Sequence, residues 1–167
     1  MNAKEFINTL IHSGWIKEGG GVAHIINPPE IKLPPEIEAL CSQYNVLRNS
    51  GDTAWFYSMQ DYSTEGESAF EWNFFEKSSL ECAVNEHQKL SVLKFWHEHM
   101  PFGASVADGY SYIAYRMEDG AVVLGNEPEY EESARLIASS LEEFFKNFIQ
   151  AVHGKPNELL DRFLGRV

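Results

Sequence analysis

Residues 110–124 read YSYIAYRMEDGAVVL, two runs of β-forming side chains divided by Asp119-Gly120. No other stretch narrows the possible folds as much. Asp-Gly between two such runs is the strongest short-range hairpin signal, because a two-residue type I′ turn needs positive φ at both central positions. The expected pairing sets Tyr115 opposite Leu124 and Met117 opposite Val122. An antiparallel ribbon near residue 120 is therefore the element around which the rest must be arranged.

Helices are expected on either side of it. Over residues 1–14, Asn2 can cap the first turn, Phe6, Ile7, Leu10 and Ile11 form an apolar stripe, and Gly14 ends the element. Over 32–45, Pro34 and Pro35 sit where a first turn tolerates missing donors, and Glu36 suits its positive end. Leu33 and Ile37 fit a hydrophobic staple, and Ile37, Leu40, Cys41 and Tyr44 share a face. Ser140 and Glu143 have capping-box spacing before a helix whose buried face is Leu141, Phe144, Phe145, Phe148 and Ile149, with Gly154 as its stop. A short terminal helix is expected over 155–167.

Strands are expected over 22–26 and 53–62, with a brief extended segment over 134–139. Residues 63–68 read as a turn, and 45–52, 101–109 and 126–133 as loops. In 69–90, Phe70, Trp72 and Phe74 alternate, which suggests a strand followed by irregular chain. In 91–100, Leu93, Phe95, His97 and His99 alternate with Val92, Lys94, Trp96 and Glu98. The order gives an α+β fold, a largely antiparallel sheet with helices packed on one side and at the ends. With 167 residues, 44% hydrophobic and 13% aromatic, one domain over 1–167 has material for a sizeable core.

The net charge is −12, and its placement is uneven. Residues 49–76 hold six acids (Asp52, Asp61, Glu65, Glu67, Glu71 and Glu76) and no base. Residues 117–134 hold six more (Glu118, Asp119, Glu127, Glu129, Glu131 and Glu132), again with no base. Without those twelve, 13 acids face 13 bases, so the whole excess lies in two segments. Nucleic acid and anionic membrane would be repelled as direct partners, whereas a basic protein would be drawn in at long range. The same charge also serves plain solubility. Two cysteines, Cys41 and Cys82, make no disulfide framework, and Cys41 suits a buried free thiol. No apolar run nears the roughly 18 residues of a membrane span. No signal peptide is read at the start, so a reducing, cytoplasmic location is expected.

Chemistry is sparse. Gly19-Gly20-Gly21 lacks the Gly-Lys-Ser/Thr ending of a phosphate loop and reads as a flexible turn. His97 and His99, two apart on a strand, would point the same way and are weak candidates for one metal ion, though a third ligand is missing from the pattern. No G-x-S-x-G elbow occurs, and the arginines are dispersed, with Arg116 expected to pair with a carboxylate across strands. No cofactor is implied. What remains is a surface: Trp55, Tyr110, Tyr112 and Tyr115 on strands beside acidic loops have the composition of a protein-binding face, and equally of a core.

Three stretches taken together resemble the SUKH superfamily, the Smi/Knr-type proteins. Leu33-Pro34 matches the family's helix-opening pair, Pro101-Phe102-Gly103 and Asp108-Gly109 its strand entry, Asp119-Gly120-Ala121-Val122 its hairpin turn, and residues 137–145 its closing helix. The resemblance covers roughly residues 14–150, with 151–167 as an extension. It departs where Asn45 is followed by Val46, and residues 63–89 follow no family pattern. It implies a non-enzymatic α+β domain, an immunity protein that neutralises a cognate toxin, with nuclease chemistry, and hence a basic surface, favoured for that toxin. The partner-binding residues would then be Asp61, Glu65, Glu67, Glu71, Glu118, Asp119, Glu127, Glu129, Tyr130, Glu131 and Glu132. A regulatory or scaffolding module and a metal-binding protein using His97 and His99 remain the alternatives.

Overall fold

The computed structural model describes residues 1–20, 31–62, 71–127 and 133–166, and the side chain of Glu127 lies outside that description. Asn2 opens helix α1 (Ala3–His12) with a full capping box: its Oδ1 accepts from the Glu5 amide at 2.9 Å, and the Asn2 amide donates to Glu5 Oε2 at 3.0 Å. Phe6, Ile7 and Leu10 are buried as expected, but Ile11 is 39% exposed and is not part of the buried stripe. Strand β1 (Ile16–Glu18) follows, then helix α2 (Pro35–Cys41), whose Ile37, Leu40 and Cys41 face the core together with Tyr44 beyond its end.

Residues 45–52 are not all loop: β2 (Val46–Arg48) pairs with β1 and with β3 (Ala54–Phe56). These strands are three residues each, too short to show a period. The strand expected over 53–62 ends at Phe56, after which Tyr57 donates its amide to Phe102 at 2.9 Å and Met59 to Cys41 at 3.2 Å. The strand expected at 22–26 and the turn at 63–68 lie outside the described residues.

The largest correction concerns residues 69–100. Phe70 lies outside the described residues; among those described, two helices stand there, α3 (Phe74–Cys82) and α4 (Glu86–Glu98), and only His99 begins a strand. Asn85 caps α4 by accepting from the Gln88 amide at 2.9 Å. Val92, Phe95, Trp96 and His99 have the spacing of one helical face. Val92 and Trp96 are buried, while Leu93 and His97, which the alternating reading put on one face with Phe95 and His99, are exposed.

Residues 101–105, expected as loop, belong to β4 (His99–Ser105), a strand buried along its whole length. Its small residues are poor β formers, and burial rather than propensity places them in the sheet. Pro101 cannot donate to the ladder, and the register shifts between it and Gly103. Then come β5 (Tyr110–Arg116), β6 (Val122–Glu127) and β7 (Arg135–Ala138), followed by α5 (Leu141–Val152) and α6 (Glu158–Phe163). Among the described residues seven strands form one antiparallel sheet in simple sequential order, so the α+β class is as expected.

The hairpin exists, but its turn has four residues rather than two. Tyr115 opposes Val122, and Arg116 donates its amide to Ala121 at 2.8 Å, which leaves residues 117–120 as the loop. Only Gly120, at φ +77°, takes the left-handed conformation. Asp119 is held instead by its side chain, which accepts Arg116 Nε at 2.8 Å and Nη2 at 2.7 Å and also takes the Ala121 amide at 3.1 Å. Arg116 thus pairs within its own turn rather than across strands. The shift is even-numbered, so each side chain keeps the face expected for it.

Phe56, Ile113 and Leu124 lie on one sheet face by register. Helices α1 and α5 cover it: Phe6, Phe144 and Phe148 surround Phe56 at ring distances of 5.5, 6.3 and 5.2 Å. Tyr112 lies on the opposite face and is met there by Phe75 of α3 and by Phe95 and Trp96 of α4.

Candidate functional site: the hairpin-turn end of the sheet

The meander divides the described acids of these segments between the two ends of the sheet. The β5–β6 turn, with Glu118 and Asp119, shares one end with the start of β4 and the close of β7. The β2–β3 turn, with Asp52, shares the other end with the close of β6, where Glu127 opposes Tyr110. Glu118 and Asp119 therefore stand at the end of the sheet away from Asp52 and Glu127.

Several of the expected contact residues have structural work of their own. Asp61 is half-buried: its Oδ2 accepts the Ser58 amide at 2.7 Å and the Ser58 hydroxyl at 2.8 Å, closing the turn after β3. Burial raises its pKa, and the two Ser58 hydrogen bonds oppose that shift without cancelling it. Glu71 pairs with Lys77. Asp119 clamps Arg116, and the guanidinium holds its pKa down to about 2. Glu118 is exposed with no ion pair or hydrogen bond among the described residues. Glu65, Glu67, Glu129, Tyr130, Glu131 and Glu132 lie outside the described residues, as does the Glu127 side chain.

The aromatic face also divides. Tyr112 and Tyr115 are buried on opposite sheet faces, Trp55 is half-buried, and Tyr110 is 45% exposed. They are mostly core. The premise for the histidine pair fails as well: His97 stands exposed in the last turn of α4, while His99 is buried, stacked on Phe95 at 4.0 Å with Nδ1 bonded to the Phe95 carbonyl oxygen at 2.9 Å. Among the described residues no group of three or more His, Cys, Asp or Glu is arranged to hold a metal ion. Cys41 is buried, and burial pushes its thiol up to about 12, so it is protonated and unreactive at neutral pH.

Sequence reading missed what gathers at the hairpin-turn end. Ala138 opposes Val122 beside the turn, so the start of α5 falls there. The starts of α1 and α2 join it, and the three enclose a groove of about 510 Å³. Ala39, Leu141 and Phe145 line it, with Glu5, Glu36 and Glu142 around them and residues 1–3 at one wall. Glu142 accepts the Met1 ammonium at 2.9 Å and Lys146 at 2.9 Å, and these hold its pKa down to about 2. Glu36 faces the Tyr115 hydroxyl, whose pKa is raised by burial first and then by that carboxylate. The same ring reaches the turn, since a Cβ placed on Gly120 would stand 3.1 Å from the Tyr115 hydroxyl oxygen. The Tyr115 ring thus stands between Glu36 at the groove and the acidic turn. In the sequence these glutamates read only as helix-start residues. Nothing local says that three helix starts converge.

No protein-family model matches this chain, and no curated protein matches it. Among the described residues no helix is long and apolar enough to cross a membrane.

Asp61 yields a pH prediction. A carboxyl whose folded pKa is raised contributes stability that is full below its unfolded value, near 3.8, and is lost as pH rises through the raised value. Asp61→Asn can keep an oxygen acceptor for Ser58 with no charge to bury. The variant should therefore gain on wild type as pH goes from about 3.5 to 7. Thermal unfolding of both proteins across that range checks it; a constant difference would show that Asp61 is solvated.

Proposed function

We propose that this chain is a non-enzymatic, cytoplasmic immunity protein of the SUKH type. It binds and neutralises a cognate basic protein toxin, with nuclease chemistry favoured, by occluding the toxin's cationic face. The observation that carries the reading is the charge segregation: the entire excess of −12 sits in two base-free segments. A nuclease must present cations to phosphates, and an inhibitor that offers carboxylates there competes for the same ground. The hairpin-turn end supports the reading best. Glu118 is unengaged there and stands beside a groove, whereas Asp52 at the other end is paired with Arg48 at 3.2 Å.

The test is protection and binding with candidate basic toxins encoded beside this chain's gene. One toxin should be bound in the nanomolar range and lose its activity at equimolar inhibitor. The association rate should fall roughly tenfold or more between low and physiological salt. Charge reversal of Glu118, Glu129, Glu131 and Glu132 should slow association by a similar factor. Several micromolar partners and no protection would replace the reading with a regulatory module.

A further inference from the structure

Among the described residues nothing covers the outward face of α4. Its inward side is Val92, Phe95, Trp96 and His99, packed on the core. On the side away from them, by helical spacing, stand Glu86, Leu90, Leu93 and His97. All four are exposed, Leu90 at 65% and Leu93 at 45%, and the two leucines are neighbours on the helix surface. We propose that this face is the contact of a homodimer, in which α4 packs antiparallel on α4 of a second copy about a two-fold axis. Such a dimer stands or falls apart from the immunity reading.

The stripe fits a second copy of itself. Its positions are spaced by four, three and four residues, so it reads the same from either end. Turning α4 end over end lays Leu90 against Leu93 of the second copy, and Leu93 against Leu90, as the two central layers. At each end of them Glu86 then meets His97 of the other chain, and the imidazole N–H can donate to the carboxylate. Glu86 Oε1 accepts Lys89 Nζ at 3.0 Å, an exposed pair that leaves the other carboxylate oxygen for this contact. A parallel arrangement would set Glu86 against Glu86, so charge selects the antiparallel one. Charge also selects the partner. Along α4, Glu86 and Glu98 are balanced by Lys89 and Lys94, so two chains of −12 can meet here with no charge excess at the contact. A basic partner would suit Glu86 but meet Lys89 and Lys94 on the flanks, and an acidic one would meet the reverse conflict. A single helix pair is a small interface, so the dimer is weak and concentration-dependent.

Sedimentation of the full chain over a concentration series tests this. Wild type should pass from monomer to dimer with a Kd of roughly 10–100 µM. Leu90→Gln with Leu93→Gln, both at exposed positions, should weaken association roughly tenfold or more with an unchanged melting temperature. The register has a readout of its own, in a Cys82→Ser background that removes the exposed thiol. The Glu86→Cys and His97→Cys proteins, mixed under oxidised glutathione, should form a disulfide-linked dimer. Neither should do so alone, because positions 86 and 97 lie about 16 Å apart along the helix and each would be that far from its own copy. A chain that stays monomeric to about 0.5 mM, or a dimer indifferent to the two glutamines, would overturn the proposal. Cross-linking of either cysteine protein alone as fast as the mixture would overturn the antiparallel register. A strictly monomeric chain that still neutralised a basic toxin would remove the dimer and leave the immunity reading in place.

Discussion

Phe148→Ala should destabilise the protein by about 3–5 kcal/mol, the usual range for emptying a fully buried aromatic site. For a chain of this size that lowers the melting temperature by about 6–20 °C. Phe148 is fully buried and stands where three parts of the core meet. Its ring lies 5.2 Å from Phe56 on the sheet, 5.7 Å from Trp15 beyond α1 and 6.1 Å from Phe163 on α6. Phe6 and Phe144, at 5.9 and 5.4 Å, complete the shell. These rings come from distant parts of the chain and are themselves held by neighbours, so the cavity cannot close by a local shift. Phe148→Leu should recover about half of the loss, because it restores volume but not the edge-to-face contacts. Denaturant melts of the three proteins check this. A loss below about 1 kcal/mol for the alanine variant would mean that α5 does not seat on the sheet as described.

That core was largely legible in the sequence. The stripe Leu141, Phe144, Phe145, Phe148 and Ile149 follows helical spacing after a Ser140 cap, and the structure buries all five. The cap itself is differently wired: Ser140 Oγ accepts from the Glu143 amide at 3.2 Å, but Glu143 returns to Ser139 at 2.7 Å rather than to Ser140. Spacing reports that a helix starts, not which amide closes the loop.

The second face was not legible. Residues 69–98 are rich in aromatics that have high strand propensity, and a run such as Leu93-Lys94-Phe95-Trp96-His97 fits period 2 over a short window. What decides for helix is Tyr112, far along the chain, whose ring meets Phe75, Phe95 and Trp96. A tertiary partner overrides local propensity here. The site was half-legible for a related reason. Composition locates surplus charge on the chain, but only the meander separates Glu118 from Glu127. Likewise Asp61 counts as one more acid in a base-free run until its burial beside Ser58 is seen.

Tyr112 also sets the second large expected effect. Gly125 opposes it across β5 and β6, and a Cβ at Gly125 would stand 2.3 Å from the Tyr112 Cζ and hydroxyl oxygen and 2.8 Å from Cε1. Gly125 does not have positive φ, so alanine meets no backbone penalty there and the conflict is purely steric. The ring cannot slide aside, because Phe75 and Trp96 hold it at 5.1 and 4.8 Å and it is 4% exposed. Gly125→Ala should therefore cost about 3 kcal/mol, toward the upper end for overpacking, and lower the melting temperature by about 6–12 °C. Cutting back the ring removes the conflict. Tyr112→Leu alone should destabilise by emptying the space under α3 and α4, but adding Gly125→Ala to it should cost almost nothing further. The double-mutant cycle would then return a coupling of about 2–3 kcal/mol. Additive losses would mean that the ring does not lie over Gly125, and with it would go the placement of α3 and α4 on this face.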